Sequence, residues 1–391
     1  MVKTGLEIFL NRFPSKLVGK KIGVLCHAPS ITRDFVHITE HLHQLKTCSL
    51  AAIFGPQHGL SGETQDNMIE WAGRMHPVYN VPVYSLYGEH RKPTPKMLAD
   101  IDALIIDIQD VGARLYTYIW TVKLCMEACT EAGIPLWILD RPNPVGGLGF
   151  DGPVLKEEFF TFVGGASIPL CHRMTAGEIA LWIKDKYYWN CDLTVIRMEG
   201  WNRNMMYDST GLPWVLPSPN MPTPVTAIVY PGIVLFEALN LSEGRGTTIP
   251  FELFGAPYID PYKLLENLRS RKLEGCSFRI HNFIPTFNKY MDQLCGGLQI
   301  HVNDIQSFRP VCTALEIIEA VVQTTVDGKL VFNPPPYEYE YNLMPFDILS
   351  GDQGMRETIE KKGSLFTEIE RWKDETASFK KEFTRLAIYS D

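Results

Sequence analysis

Short apolar runs alternate with segments of helical spacing through the first half of the chain. Each run is bounded by polar residues, glycine or proline, which is typical of buried strands. We predict strands over residues 22–26, 50–54, 81–86, 103–108, 136–139 and 193–198. Between them we predict helices over 35–45, 94–98 and 116–132, and a further helix capped by Thr175 and Glu178. Such alternation indicates a parallel sheet built from strand–helix–strand units.

A second pattern begins near Pro250, where strands and helices no longer alternate. The spacing predicts helices over 261–271, 314–324 and 364–385 and strands over 277–283 and 297–302, and it predicts that segment 226–239 is helical beyond Pro231. Because 391 residues exceed one typical core, we expect two domains. The first is an α/β domain with a mostly parallel sheet over residues 1–248, and the second is a smaller α+β domain over 249–391.

Composition and charge exclude several classes of partner. The formal charge is −8 and no long basic run is present, which argues against nucleic acid or an anionic membrane as the main partner. Nine cysteines form no C-x-x-C pair, so we expect reduced thiols, no metal site and a cytoplasmic location. The first residues show no signal peptide, and no stretch reaches transmembrane length. No G-x-G-x-x-G follows a strand, so no cofactor is expected. Nothing in the sequence implies a protein partner.

Chemically active side chains follow the predicted strands. Because loops after parallel strands meet at one edge of a sheet, we expect these groups to converge. Carboxylates beside arginines and amides suit a polyhydroxylated, anionic ligand such as a sugar acid. From the residues alone, the chain is a small-molecule α/β enzyme acting on a sugar or a phosphate compound. The side chains in these loops are Ser30, Gln57, His58, Glu63, Asp107, Asp110, Arg114, Asp140, Arg141 and Asn143.

Several of these groups have structural alternatives. His58 lies between glycines, where it can simply tie its loop together. Asp140 and Arg141 can form an ion pair that pins a turn, and Asp110 can cap the following helix. Glu243 and Arg245 alternate with glycines, which favours close approach of the backbone to another group.

Five motifs resemble those of one enzyme family, the NamZ-type exo-β-N-acetylmuramidases. The likeness runs from about residue 15 to beyond residue 300. It implies a Rossmann-like N-terminal domain, an active-site cleft closed by the C-terminal domain, and release of N-acetylmuramic acid from the non-reducing end of peptidoglycan fragments such as MurNAc-GlcNAc. The motifs are FGPQHG at 54–59, DIQDVGARLYTY at 107–118, LDRPNPVGG at 139–147, LPSPNMP at 216–222 and SEGRGTTIPFE at 242–252.

Gln57 departs from the family pattern, which has glutamate at this position as the suspected catalytic acid. An amide cannot donate and recover a proton as a carboxyl does. Three explanations stay open. Glu63 supplies the acid, or the substrate's own acetamido group acts as nucleophile, so that the protein has to supply only one acid. In the third explanation the protein binds the sugar without cleaving it efficiently.

The resemblance also implies roles for the other side chains. Glu63 is expected to act as general acid/base, with His58 and Gln57 bonding the leaving oxygen or the acetamido group. One of three arginines would pair with the lactyl carboxylate, while Asn143 and Asn220 would bind hydroxyls. Asp110, Asp140 and Glu243 complete the expected substrate-binding set. The arginines in question are Arg114, Arg141 and Arg245. A phosphosugar-processing enzyme is the third functional class, although no Walker-type lysine accompanies the loop at 243–247.

Overall fold

The computed structural model describes residues 1–65, 68–187, 189–326 and 329–391. Within these ranges lie three sheets of seven, three and two strands. The strands are β1 Lys21–Cys26, β2 Ser49–Gly55, β3 Arg74–Met75, β4 Pro82–Ser85, β5 Ala103–Asp107, β6 Leu136–Leu139, β7 Asp151–Val154, β8 Pro169–Cys171, β9 Leu193–Ile196, β10 Leu253–Ala256, β11 Cys276–Ile280 and β12 Gly296–Val302. The α-helices are α1 Gly5–Asn11, α2 Ile38–Gln44, α3 Pro95–Leu98, α4 Tyr118–Ala132, α5 Ala176–Lys186, α6 Pro224–Ile233, α7 Pro261–Arg271, α8 Pro310–Thr324, α9 Pro345–Ser350, α10 Gln353–Glu360 and α11 Phe366–Thr384.

The central sheet has the order β3-β4-β2-β1-β5-β6-β9, and every pair in it is parallel except β3 with β4. Without the short β3, the parallel strands follow the Rossmann order, with the direction of winding reversed between β1 and β5. Val24 of β1 pairs with Ile53 on one side and Ile105 on the other. The carboxyl ends of these strands therefore share one edge, as the sequence predicted.

Both faces of this sheet are covered, which explains why its strands read as continuous apolar runs. Alternate residues of the fully buried β5 point to opposite faces. Leu104 and Ile106 join a core that contains the apolar side of α4, whereas Ala103 and Ile105 join a second core with residues of α1 and α2. The mostly parallel α/β prediction is confirmed.

The C-terminal part is built differently. Strands β10, β12 and β11 form an antiparallel sheet in that order, and α7 and α8 pack together beside it. Helix α8 also packs on α6, and α11 packs on β7, so the larger core continues from the central sheet into this region. The α+β character is confirmed, whereas the boundary near residue 248 stays a prediction.

The segment beyond Pro231 is helical as predicted, but its helix begins earlier than the sequence indicated. Helix α6 begins at Pro224, before Pro231 rather than beyond it, because Thr223 accepts a hydrogen bond from the Thr226 N–H and proline is favoured in a first turn. Pro231 lies inside the helix, close to its end at Ile233, and a 3₁₀ helix over Val234–Ala238 follows. The sequence reasoning also missed α1, α9, α10, the strands β3 and β10, and the β7–β8 hairpin.

Candidate active site

The loop after β2 places Gln57 and His58 at the carboxyl edge of the sheet. His58 and Gly59 both adopt positive φ, 69° and 86°, which turns the chain back immediately after the strand. The His58 Nδ1 lies 2.7 Å from the Thr64 carbonyl oxygen. Since a carbonyl only accepts, Nδ1 carries the hydrogen, and Nε2 is an acceptor whenever the ring is neutral.

The start of helix α4 packs against this loop. Thr117 Oγ1 donates to Gln57 Oε1 at 2.6 Å, and the Tyr118 hydroxyl donates to the carbonyls of Gln57 and Pro217 at 3.3 and 2.6 Å. These bonds orient the Gln57 amide and connect the loop to the proline-rich segment over 216–222. Three stretches distant in sequence are thus fixed around one point.

Two segments of the C-terminal half supply carboxylates to the same place. Arg245 Nη2 donates to Glu237 Oε1 at 2.6 Å, and the Tyr337 hydroxyl donates to Glu237 Oε2 at 2.6 Å. The next residue, Glu338, is 4% exposed, and its Oε2 accepts from the Tyr87 hydroxyl at 2.8 Å. Glu237 therefore has a donor on each oxygen.

These groups enclose a cavity of about 30 Å³, room for a water molecule or two. A sugar ring is much larger, so substrate binding requires the walls to separate. The walls come from both halves of the chain, and the cleft closed by a C-terminal domain stays a prediction. The lining residues are Gln57, His58, Leu115, Tyr116, Thr117, Tyr118, Val163, Ser218, Asn220, Met221, Tyr230, Glu237, Arg245, Phe251, Tyr337 and Glu338.

Burial and charge act in opposite directions on the ionisable groups here. Burial, reinforced by the nearby Glu237, raises the pKa of Glu338 to about 7, although the Tyr87 hydroxyl acts against this rise. Burial disfavours the charge on Arg245, but Glu237 and Glu243 outweigh it and raise the Arg245 pKa. Burial would likewise raise the pKa of Glu243, yet Lys289, with its ammonium 2.9 Å away, and Arg245 keep it lowered.

The glycines beside Arg245 approach protein backbone rather than open space for a ligand. Gly244 and Gly246 have φ near +80°, and a Cβ at Gly246 would lie 2.6 Å from the Phe287 carbonyl oxygen. A Cβ at Gly244 would lie 2.7 Å from the Leu253 carbonyl oxygen. The close packing holds the loop in a conformation that directs Arg245 to the cavity.

Of the predicted site residues, Gln57, His58, Asn220 and Arg245 line this cavity, and Glu243 contacts Arg245 at 3.3 Å. Glu63 and Arg141 do not line this cavity with Arg245, and the roles expected for them stay predictions. Glu63 is exposed and lies outside the cavity lining, with its Oε2 accepting from the Ser61 N–H at 3.0 Å. Its carboxylate packs on Gly59, where a Cβ would lie 2.6 Å from the Glu63 Oε2 atom.

Arg114 is fully buried and holds together separate parts of the fold. Its guanidinium donates to the carbonyls of Pro153, Ile168 and Leu349 at 2.9, 3.2 and 2.8 Å, and burial lowers its pKa to about 9. Its donors bond the β7–β8 hairpin and α9, so the contacts of Arg114 are structural. Arg114 is not among the residues that line the cavity.

The residues that follow β6 also bond within the protein. Arg141 pairs with Asp107 through two hydrogen bonds of 2.5 and 2.8 Å. Asp140 accepts from Thr175 and from the Gly177 N–H at the start of α5, and burial raises its pKa to about 6. The Asn143 amide donates to the carbonyls of His172 and Met174. None of the three lines the cavity among the described residues.

Asp110 is likewise buried away from the cavity lining. Its Oδ2 accepts from the Gly112 N–H at 2.7 Å and lies 3.5 Å from Nε2 of His172. Burial raises the pKa of Asp110 to about 7 and lowers that of His172 to about 3, so the histidine is neutral near pH 7. Asp110 fixes the turn before α4 rather than forming an ordinary helix cap.

The sequence reasoning missed Glu237, Tyr337 and Glu338. A signal for the last two was present: the run Tyr337-Glu338-Tyr339-Glu340-Tyr341 places two acids between three tyrosines, directly after three prolines. Tyr116 and Tyr118, at the end of the DIQDVGARLYTY motif, are buried and also line the cavity.

Within the described ranges, no group of three or more His, Cys, Asp or Glu side chains is arranged to hold a metal ion. No helix in the same ranges has both the length and the apolar character needed to span a membrane.

Two family models match the chain, and together they cover most of it. The model for the N-terminal part of the exo-β-N-acetylmuramidase NamZ matches residues 22–225, and the model for its C-terminal part matches residues 228–389.

Individual relatives show the same likeness over nearly the full length. A peptidoglycan β-N-acetylmuramidase NamZ from Bacillus subtilis (strain 168) is 41% identical over 389 residues, which is 99% of this chain and 91% of the relative. Two solved structures of DUF1343 family proteins from Bacteroides fragilis NCTC 9343 superpose with TM-scores of 0.89 and 0.76, at 31% and 29% identity. Each match covers 100% of this chain and 99% of the other. The chain therefore belongs to the NamZ family of exo-β-N-acetylmuramidases, which are glycoside hydrolases.

Proposed function

We propose that this protein releases N-acetylmuramic acid from the non-reducing end of peptidoglycan fragments such as MurNAc-GlcNAc. The observation that carries the proposal is the cavity itself. The FGPQHG loop, the LPSPNMP segment and the SEGRGTT loop meet there with two carboxylates, Glu237 and Glu338. Carboxyl groups around a bound sugar are what glycoside hydrolysis requires.

Four of the lining groups have distinct tasks in this proposal. The amide of Gln57 and the Nε2 of His58 bond the substrate's acetamido group or the leaving oxygen. The Asn220 amide donates to the Gln65 carbonyl at 2.8 Å, which directs its oxygen to a sugar hydroxyl. Arg245 is the one of the three predicted arginines that lines the cavity, so it is the partner for the lactyl carboxylate.

A cytoplasmic location is part of the proposal. All nine cysteines are unpaired, and seven of them are buried. Unpaired thiols in this number are typical of a reducing compartment. A peptidoglycan-derived amino sugar imported or generated inside the cell would then be the substrate.

The test is incubation of the purified protein with MurNAc-GlcNAc, followed by chromatography of free N-acetylmuramic acid. GlcNAc-MurNAc, which has the other sugar at its non-reducing end, is the matched control and should remain intact. Binding measured by calorimetry without product after long incubation would instead identify a muramic-acid-binding protein.

The Gln57→Glu variant separates these two outcomes further. Because other carboxyls line the cavity, we expect the parent protein to be active with glutamine at position 57. Activity that appears only in Gln57→Glu would contradict the proposal and favour the binding protein.

A further inference from the structure

We propose that Glu338 is the general acid/base of this protein, donating a proton to the glycosidic oxygen in place of the carboxyl that Gln57 lacks. This inference rests on the proposed function. It assigns the acid to the turn over 337–340 in the C-terminal part of the chain, far in sequence from the FGPQHG loop. Gln57 and Glu338 line the same cavity, so the missing carboxyl is replaced within one site.

The hydrogen bonds distinguish Glu338 from the other carboxylate in the cavity. Glu237 accepts from Arg245 and from Tyr337, so each of its oxygens already has a donor and its charge is balanced. Glu338 accepts from Tyr87 through Oε2. In the part of the chain that the structure describes, no hydrogen bond joins its Oε1, which leaves this oxygen for a substrate. An acid that must give up a proton needs such an oxygen.

The backbone at Glu338 is held in a costly conformation. The N–H groups of Tyr337 and Glu340 each donate to the other residue's carbonyl at 2.9 Å, which closes a two-residue turn. Glu338 and Tyr339 occupy its two central positions with φ of 46° and 67°, a geometry that normally selects asparagine or glycine. A strained backbone conformation persists only where surrounding contacts hold it in place, and such conformations are concentrated at functional sites.

Contacts on each side of the turn supply that constraint. Tyr337 bonds Glu237, Glu338 bonds Tyr87, and the Tyr339 ring lies 4.3 Å from the guanidinium carbon of Arg91. The Arg91 guanidinium carbon lies 5.8 Å from the centre of the Tyr87 ring. The turn is therefore fixed to the wall of the sheet domain, and the carboxyl of Glu338 is presented to the cavity at one position.

Burial supports the protonation state that an acid needs. Since burial raises the pKa of Glu338 to about 7, a large fraction of this carboxyl carries its proton near neutral pH. Glu63, by contrast, is exposed to water and lies outside the cavity lining.

The reaction balances with water as the only co-reactant. The Glu338 proton moves to the glycosidic oxygen as the bond from this oxygen to the anomeric carbon breaks, and the bonding electron pair stays with the departing oxygen. The anomeric carbon then receives the hydroxyl of a water molecule, and the second proton of that water passes to the Glu338 carboxylate. The products are two free sugars and a restored acid.

The experiment compares Glu338→Gln, Glu340→Gln and Glu63→Gln with the parent on MurNAc-GlcNAc. Glutamine keeps the acceptor for Tyr87 but cannot donate the proton, so we expect kcat of Glu338→Gln to fall about 10²- to 10⁴-fold. Glu340 lies on the same turn and bonds the Asn342 N–H, so Glu340→Gln is the matched control and should keep parental turnover. A 4-nitrophenyl N-acetylmuramide, whose leaving group needs little protonation, should show a much smaller loss in Glu338→Gln.

The pH profile gives a second measurement that does not depend on the Glu338→Gln variant folding. The parent kcat/KM should fall as pH rises through about 7, because the acid must be protonated. The Tyr87 hydroxyl stabilises the ionised carboxyl, so Tyr87→Phe should move this alkaline limb to higher pH. A purely structural Glu338 would leave the limb in place.

The outcomes separate the two proposals. Parental turnover in Glu338→Gln, or a loss confined to Glu63→Gln, would overturn the assignment of Glu338 while leaving the muramidase function intact. A parent protein that does not hydrolyse either substrate would overturn the proposed function and the assignment with it. If Glu338→Gln fails to fold, an alkaline limb unmoved by Tyr87→Phe would overturn the assignment.

Discussion

Replacing Arg141 by methionine should cost stability rather than substrate affinity. The guanidinium donates twice to the Asp107 carboxylate, at 2.5 and 2.8 Å, and once to the Ile31 carbonyl at 3.0 Å. The two side chains are 6% and 0% exposed, so methionine leaves a carboxylate buried without its counter-charge. Removing one partner of such a pair costs about 3–5 kcal/mol of unfolding free energy.

The assay is urea unfolding followed by circular dichroism, with KM for MurNAc-GlcNAc measured on the folded variant. Arg12 provides the matched control, because its ion pair with Glu199 is 3.2 Å long but exposed, and Arg12→Met should cost at most about 1 kcal/mol. In the double variant Asp107→Asn/Arg141→Met, which buries no charge at this pair, part of the loss should be recovered. Parental stability in Arg141→Met together with a tenfold higher KM would refute this reasoning and make Arg141 a substrate ligand.

Three further outcomes are expected. Burial raises the pKa of Asp110 from 3.8 to about 7, so the native chain holds this proton more tightly than the unfolded chain, and the unfolding free energy falls as pH rises between these values. Asp110→Asn should therefore reduce the difference between the urea midpoints at pH 5 and pH 8. An unchanged difference would contradict this prediction. Gly246→Ala places a Cβ 2.6 Å from the Phe287 carbonyl oxygen and should cost about 1–3 kcal/mol by urea unfolding, more than Gly19→Ala, where φ is +76° but nothing lies within 4 Å. Arg245→Gln should lower the preference of kcat/KM for N-acetylmuramides over N-acetylglucosaminides by about tenfold or more, since only the former carry the carboxylate; an unchanged preference would exclude Arg245 as its partner.

The role proposed for Glu338 accounts for a member of this family that has glutamine at position 57. In the family pattern the carboxyl comes from position 57 in the loop after β2. The cavity, however, has walls from both halves of the chain, so another segment can supply a carboxyl. Glu237 and Glu338 bring carboxylates from elements that no local pattern connects to the FGPQHG loop. The Thr117 hydroxyl holds the Gln57 amide, so the amide has a place in the site without a role in proton transfer.

Local patterns in the sequence determined the elements whose burial and turns are decided nearby. Helix α7 begins and ends where the spacing placed it, at Pro261 and Arg271, because Asp260 caps it and its apolar face repeats regularly. The apolar runs of β1, β2, β5 and β6 predicted strands, and the glycine-rich loops after them predicted where Gln57 and His58 lie. The family motifs and the α/β class followed from the same stretches.

The tertiary structure decided which of the polar groups share a cavity. Arg114 and Arg141 were indistinguishable from ligand-binding arginines by composition, yet each is buried with acceptors supplied by distant segments. Sequence distance from the FGPQHG loop was also misleading for the carboxylates. Glu63 is close to this loop in sequence but is exposed to water, whereas Glu338 is far from it and lines the cavity. A sequence pattern records whether a side chain favours burial, but the atom it meets there depends on how elements far apart in the chain pack together.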